Sequence, residues 1–133
     1  VDMTVWVDAW QMQCCGETFT VGSEVSWTLR DVDSDWLTMV LGDAAVTVDA
    51  AEEHHSGRSD EVPVTRAKVG HITAVHCRYA PRPGDDSRTR YPVEGSATLT
   101  AMASADGWTP PCGDLEFVGC LVRLVVRLRC PPE

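Results

Sequence analysis

Alternation with a period of two runs through most of the chain. In residues 4–10, Val5, Val7 and Ala9 fall on one side of an extended strand, and Trp6, Asp8 and Trp10 on the other. Residues 24–30 set Val25, Trp27 and Leu29 against Glu24, Ser26, Thr28 and Arg30, a second strand with an inside and an outside. Residues 62–79 are rich in β-branched side chains, but their parity changes. Ala67 and Val69 share one parity, Ile72 and Ala74 the other, and Val75, Cys77 and Tyr79 return to the first. A bulge or sharp bend at Gly70 accounts for the change. Residues 93–104 alternate again, with Val93, Gly95, Ala97, Leu99, Ala101 and Ala103 on one face. Residues 115–129 close the chain, Val122, Leu124 and Val126 pointing in and Arg123, Val125, Arg127 and Arg129 pointing out.

Between the second and third of these segments the period lengthens. Asp33 or Ser34 can cap a helix, and Leu37, Val40 or Leu41, Ala44, Val48, Ala51 and His55 then recur at steps of three and four. This predicts one main helix over about residues 33–56, which Gly42 can divide and Gly57 can stop. The expected fold is β-rich α+β: a small curled antiparallel sheet or partly open barrel of five or six strands, with that helix over a barrel mouth or a sheet face. The predicted core is Val5, Val7, Val25, Trp27, Leu29, Leu37, Val40, Leu41, Ile72, Leu99, Val122, Leu124 and Val126. No repeat, low-complexity tract or linker divides the chain, so residues 1–133 read as one domain.

Composition adds limits. A chain of 133 residues that is 44% hydrophobic can bury a real core. No apolar run approaches the ~20 residues of a membrane span. The start, Val1-Asp2-Met3-Thr4, shows neither a basic n-region nor an apolar h-region, so the expected location is the cytoplasm. The six cysteines are irregularly spaced, and Cys14 and Cys15 are adjacent. That is no disulfide framework, and reduced thiols are expected. The net charge of −9 is lopsided: residues 1–62 carry 13 acidic and 2 basic side chains, and residues 63–133 carry 7 and 9. Duplex nucleic acid is therefore an unlikely partner, and an acidic face suits a basic one.

Two stretches, Val5-Trp6-Val7-Asp8-Ala9-Trp10-Gln11-Met12-Gln13-Cys14-Cys15-Gly16 and Phe19-Thr20-Val21-Gly22-Ser23-Glu24-Val25-Ser26-Trp27, together with His76-Cys77-Arg78-Tyr79 and Tyr91-Pro92-Val93-Glu94-Gly95-Ser96, resemble an uncharacterised family of short actinobacterial proteins. The resemblance implies a domain of unknown function across most of the chain and supplies no catalytic residues.

No phosphate-binding loop, dinucleotide-binding glycine fingerprint, His-Glu-x-x-His, Gly-x-Ser-x-Gly or Cys-x-x-Cys is present. Cys14, Cys15, His54, His55, His71, His76 and Cys77 are the ligand types that zinc or copper prefers. Their spacing fits no recognised site, so no cofactor is expected. Cys14 or Cys15 with a histidine such as His76 is the candidate catalytic set. Trp6 and Trp10 with Asp8 could stack on a sugar, a base or a cation, unless the helix covers them. Arg123, Arg127 and Arg129, with Arg82, Arg88 and Arg90 nearby, are the candidate anion-binding face. The leading expectation is a non-catalytic binding or accessory module that docks on another protein, in an oligomeric state the sequence does not define. The alternatives are a small metal- or thiol-dependent enzyme and a single-stranded nucleic-acid-binding barrel.

Overall fold

The computed structural model of the protein describes residues 2–14, 18–53, 64–81, 83–84, 86 and 88–126. Its elements are β1 (Asp2–Asp8), α1 (Ala9–Cys14), β2 (Phe19–Thr20), β3 (Glu24–Arg30), α2 (Ser34–Leu41), a 3₁₀ segment (Gly42–Thr47), β4 (Ala50–Glu52), β5 (Val64–Cys77), β6 (Tyr79–Ala80), β7 (Tyr91–Pro92), β8 (Thr98–Met102), β9 (Ser104–Ala105) and β10 (Glu116–Val125). Five strands close on themselves in the order β10-β1-β4-β3-β5. β1 and β4 run parallel, and every other neighbouring pair in the ring is antiparallel. The predicted class therefore holds: a strand-rich barrel, closed and of mixed direction, with one main helix.

Gly70 makes the closure possible. The pairing of β5 with β10 jumps from His71↔Arg123 to Val69↔Leu124 and leaves Gly70 as the extra residue of a bulge. A Cβ at Gly70 would lie 3.3 Å from Val125 Cγ2, so a side chain would crowd the bend. The bent strand serves two neighbours along one edge. Residues 64–68 pair with β3, and residues 72–76 pair with β8.

The alternation of the strands builds two apolar layers, one on each side of the barrel wall. Val5, Val7, Trp27, Ala67, Val69, Ile72, Cys120, Val122 and Leu124 form the inner core, joined by Met12 of α1, Phe19 of β2 and Ala105 of β9. Trp6, Ala51, Val75, Cys77 and Val118 face outward and are covered by Leu37 and Val40 of α2 and by Val48. Fully burying an aliphatic side chain of this kind is worth about 1.5–3 kcal/mol. The outer layer is thus what fastens the helix to the sheet.

α2 begins where the sequence places it. Asp33 has extended backbone, and its Oδ1 accepts a hydrogen bond from Trp36 N at 3.1 Å. It ends earlier than predicted. Gly42 takes φ +61°, a left-handed stop, and a 3₁₀ segment follows. The last part of the predicted 33–56 helix is strand β4, which pairs Ala50 and Ala51 with Val5 and Trp6, and Ala51 and Glu52 with Arg30 and Leu29. Val48 and Ala51 belong to the outer layer at helical spacing, but the end of the 3₁₀ segment delivers Val48 and strand β4 delivers Ala51.

Three further expectations are corrected. The first strand stops at Asp8, and Trp10 sits on α1 instead of on the strand face of Trp6. Residues 93–97 do not extend the strand of residues 98–102. Gly95 at φ +81° sets a turn closed by Ser96 N donating to Val93 O at 3.1 Å. Leu99, predicted in the core, is 52% exposed because β8 is the last strand of the sheet.

Candidate functional site

Asp8 ends β1 on the outer side of the barrel and gathers its neighbours. Its Oδ1 accepts from Trp6 Nε1 at 2.8 Å, and its Oδ2 from Gln11 Nε2 at 3.2 Å and Arg30 Nη2 at 3.4 Å. Arg30 also places Nε 3.1 Å from Glu53 Oε2. That nitrogen makes no properly aligned hydrogen bond there, so the contact is an ion pair. The guanidinium of Arg30 is therefore neutralised by two carboxylates.

Around Asp8 the aromatic side chains divide by exposure. Trp6 is 2% exposed and lies under Trp36, with ring centroids 5.6 Å apart and planes tilted by 59°. Trp36, in the first turn of α2, is half-buried. Trp10 on α1 is 56% exposed. Two recesses meet along this line. One, of about 230 Å³, is lined by Trp6, Asp8, Trp10, Arg30, Asp33 and Trp36 among others. The other, of about 410 Å³, runs from Asp8, Trp10 and Trp36 to Tyr79, Phe117 and Val118. Asp8, Trp10 and Trp36 are common to both, so the two make one groove with an exposed indole on its ridge. Asp31, Asp33 and Asp35 are exposed at and just before the start of α2, and Asp33 lines the first recess.

The far wall is held by its own contacts. Arg90 Nη2 donates to Glu116 Oε2 at 2.9 Å and to Tyr79 O at 3.1 Å, and its guanidinium carbon lies 5.9 Å from the Tyr79 ring centre. Burial raises the Tyr79 phenol above its ordinary pKa. Cys77, Glu116 and Asp8 add to that, and Arg90 opposes it. His76, 2% exposed, packs its ring 5.6 Å from that of Phe117. Its Nε2 is 3.0 Å from Pro110 O, which can only accept, so Nε2 carries the proton. His76 thus braces the Phe117 wall from behind.

The predicted thiol and imidazole groups are not brought together by the described residues. His71 is exposed, with Nδ1 3.2 Å from Thr73 Oγ1. His76 turns to Pro110, while Cys77 lies in the outer layer with Sγ 3.8 Å from Val40 O. Burial pushes the Cys77 thiol up, partly offset by a hydrogen bond with Ser96, and pushes Cys120 up to about 12. Both are protonated near neutrality and poor nucleophiles. Among the described residues, no three His, Cys, Asp or Glu side chains converge as metal ligands. Cys14 lies on α1, but its side chain is outside the description, as are Cys15, His54 and His55. Of the arginine face, Arg123 is exposed on β10, Arg88 pairs with Asp86 at 3.2 Å and Arg90 with Glu116; Arg82, Arg127 and Arg129 lie outside the described residues.

Sequence reasoning missed Trp36, Arg30, Tyr79 and Phe117 as groove residues. Trp36 carried a usable signal, an aromatic side chain three positions after the Asp33 cap and beside the apolar stripe. The other three are joined only by the closing of the barrel.

The molecule is thus a closed, mixed-direction β-barrel with an aromatic and acidic groove where two helices meet its outer wall. The chain belongs to a family of unknown function, DUF6578, which matches residues 1–126. No curated protein and no solved structure matches it. No helix among the described residues is long and apolar enough to cross a membrane.

Proposed function

We propose that the protein is a non-catalytic binding module of the cytoplasm, and that its groove docks a basic segment of another protein. The observation that carries this reading is Trp10: a large apolar ring more than half exposed, on a ridge between two recesses, beside the carboxylates of Asp8 and Asp33. An exposed apolar ring beside a recess marks a binding surface, and tryptophan is among the residues most enriched where binding energy concentrates. The sign of the partner follows from charge. Asp8 and Asp33 line the first recess, and Arg30, the one basic residue among its described lining residues, is already held by Asp8 and Glu53. An arginine or lysine side chain can therefore lie over Trp10 or Trp36 while its charge faces the aspartates. The protonated, buried state of Cys77 and Cys120 supports a binding role over thiol catalysis at these positions. Their free state fits a reducing compartment.

Calorimetric titration of the full chain with a nona-arginine peptide, and with a nona-glutamate peptide as control, tests this. Only the basic peptide should bind. Trp10→Ala should weaken it roughly two- to thirty-fold, the worth of one cation–π contact of about 0.5–2 kcal/mol. Equal binding by both peptides, or by wild type and variant, would refute the reading.

A further inference from the structure

We propose that the free edge of β8 is a homodimer interface, at which two copies of the chain pair their Thr98–Met102 strands antiparallel about a twofold axis at Thr100. β8 is the last strand of its sheet. Thr98, Leu99, Thr100 and Ala101 are all exposed. Among the described residues, no backbone group hydrogen-bonds to its outer side. Such an edge is a template for another strand, and proteins that must stay single blunt theirs with charge, proline or a bulge. This one has none of these devices. Residues 95–105, which contain β8, hold no Asp, Glu, Lys or Arg, and they form the longest uncharged run in the sequence. The next longest such run, residues 69–77, is the well-buried half of β5. A charge-free stretch of that length is ordinary in a core and unusual on an open edge.

The lack of charge admits an uncharged partner strand, and the same strand of a second copy is one. A chain of net charge −9 repels its own copies over most of its surface. At β8 two copies meet through uncharged edges, whereas a strongly basic or acidic strand would find no complementary charge there. Antiparallel pairing of a strand with its own copy is isologous, so each molecule makes one contact and the assembly closes at two instead of growing into a fibre. With the axis at Thr100, that residue faces its copy and Leu99 faces Ala101, a β-branched pair beside a large–small pair. No residue of β8 lines either recess of the groove, so pairing leaves the groove open. Five residues make a small interface, and the dimer is accordingly weak and concentration-dependent.

Sedimentation equilibrium of the full chain over a range of concentrations provides the test. The wild type should rise from the mass of one chain toward that of two. Thr100→Glu and Thr100→Lys, both at an exposed position, should each keep the wild-type circular dichroism spectrum and sediment as single chains, because like charges would face each other across the axis. An equimolar mixture of the two variants should recover the dimer, since opposite charges then meet. A wild type that stays a single chain at every concentration overturns the proposal. So does a dimer that survives both substitutions, or a mixture that fails to associate.

Discussion

The indole of Trp6 lies directly against the backbone of Gly119. A Cβ built at Gly119 would stand 2.7 Å from Trp6 Cζ2 and overlap the carbonyl oxygen of Val7. The position follows a second irregularity in β10, where pairing with β5 skips from Phe117↔His76 to Gly119↔Val75. Glycine here makes room for the ring that α2 covers.

Gly119→Ala should therefore destabilise the fold by about 1–3 kcal/mol, the usual cost of overpacking. At an unstrained site the same change often stabilises by ~0.4–1 kcal/mol through the unfolded chain, so the sign is diagnostic. Equilibrium urea unfolding reads it. A neutral or stabilising result would mean that the Trp6 ring does not rest on this residue.

Trp6 and Trp10 lie four residues apart and should behave in opposite ways. Trp6→Ala removes a ring that is 2% exposed and leaves Asp8 without its Nε1–H donor, so a loss of about 3–5 kcal/mol is expected. Trp10→Ala, at a ring 56% exposed, should cost less than about 1 kcal/mol. The same unfolding experiment compares them, and equal losses would contradict the division between structural and exposed indole.

That division shows what the sequence could convey. Local periodicity marks each strand face, so the inward set Val122 and Leu124, the bulge at Gly70 and the Asp33 cap were legible from one-dimensional pattern. Whatever depended on closure was not. Ala51 looks helical because its spacing from Val48 and Leu37 matches a helix stripe, yet it is held as strand by two partners, Trp6 and Arg30, far away in sequence. Trp10 continues the alternation of Val5 to Ala9, but the chain has already turned into α1, where Met12 and Gln11 take the buried positions. Leu99 alternates correctly within its strand and is exposed because nothing follows that strand in the sheet. The groove was legible only in its Trp10 and Asp8 half, since Tyr79 and Phe117 arrive from strands that pattern alone does not place beside them.

The buried thiols make stability fall in base. Burial holds the Cys120 proton up to about 12 in the folded chain and also raises Cys77 and Tyr79, whereas an unfolded thiol releases its proton near ~8.5. The folded state then binds more protons than the unfolded one at alkaline pH. Unfolding free energy should be insensitive to these groups near neutrality and fall above about pH 9 as the unfolded thiols ionise, by up to ~1.4 kcal/mol per pH unit for Cys120, with Tyr79 adding to the fall only above about pH 10. Cys120→Ala should make the decline shallower when urea midpoints are compared between neutral and alkaline buffers. Identical slopes would place the Cys120 thiol in water. In the native chain, alkylation followed by peptide mass mapping should label exposed Cys112 well before Cys77 or Cys120.

The most direct test of the groove reads its indoles one at a time. In a ¹⁵N-labelled full chain, Trp6, Trp10, Trp27, Trp36 and Trp108 each give a side-chain N–H resonance, assignable by substitution. Trp108 is 67% exposed, more than Trp10, and lines neither recess of the groove. It therefore reports non-specific adhesion to exposed aromatic surface. On titration with nona-arginine, the Trp10 and Trp36 resonances should move together and saturate, while Trp27 and Trp108 stay in place. A Trp108 shift as large as that of Trp10, or no shift at Trp10 and Trp36, would contradict the assignment of the groove as the binding site for a basic partner.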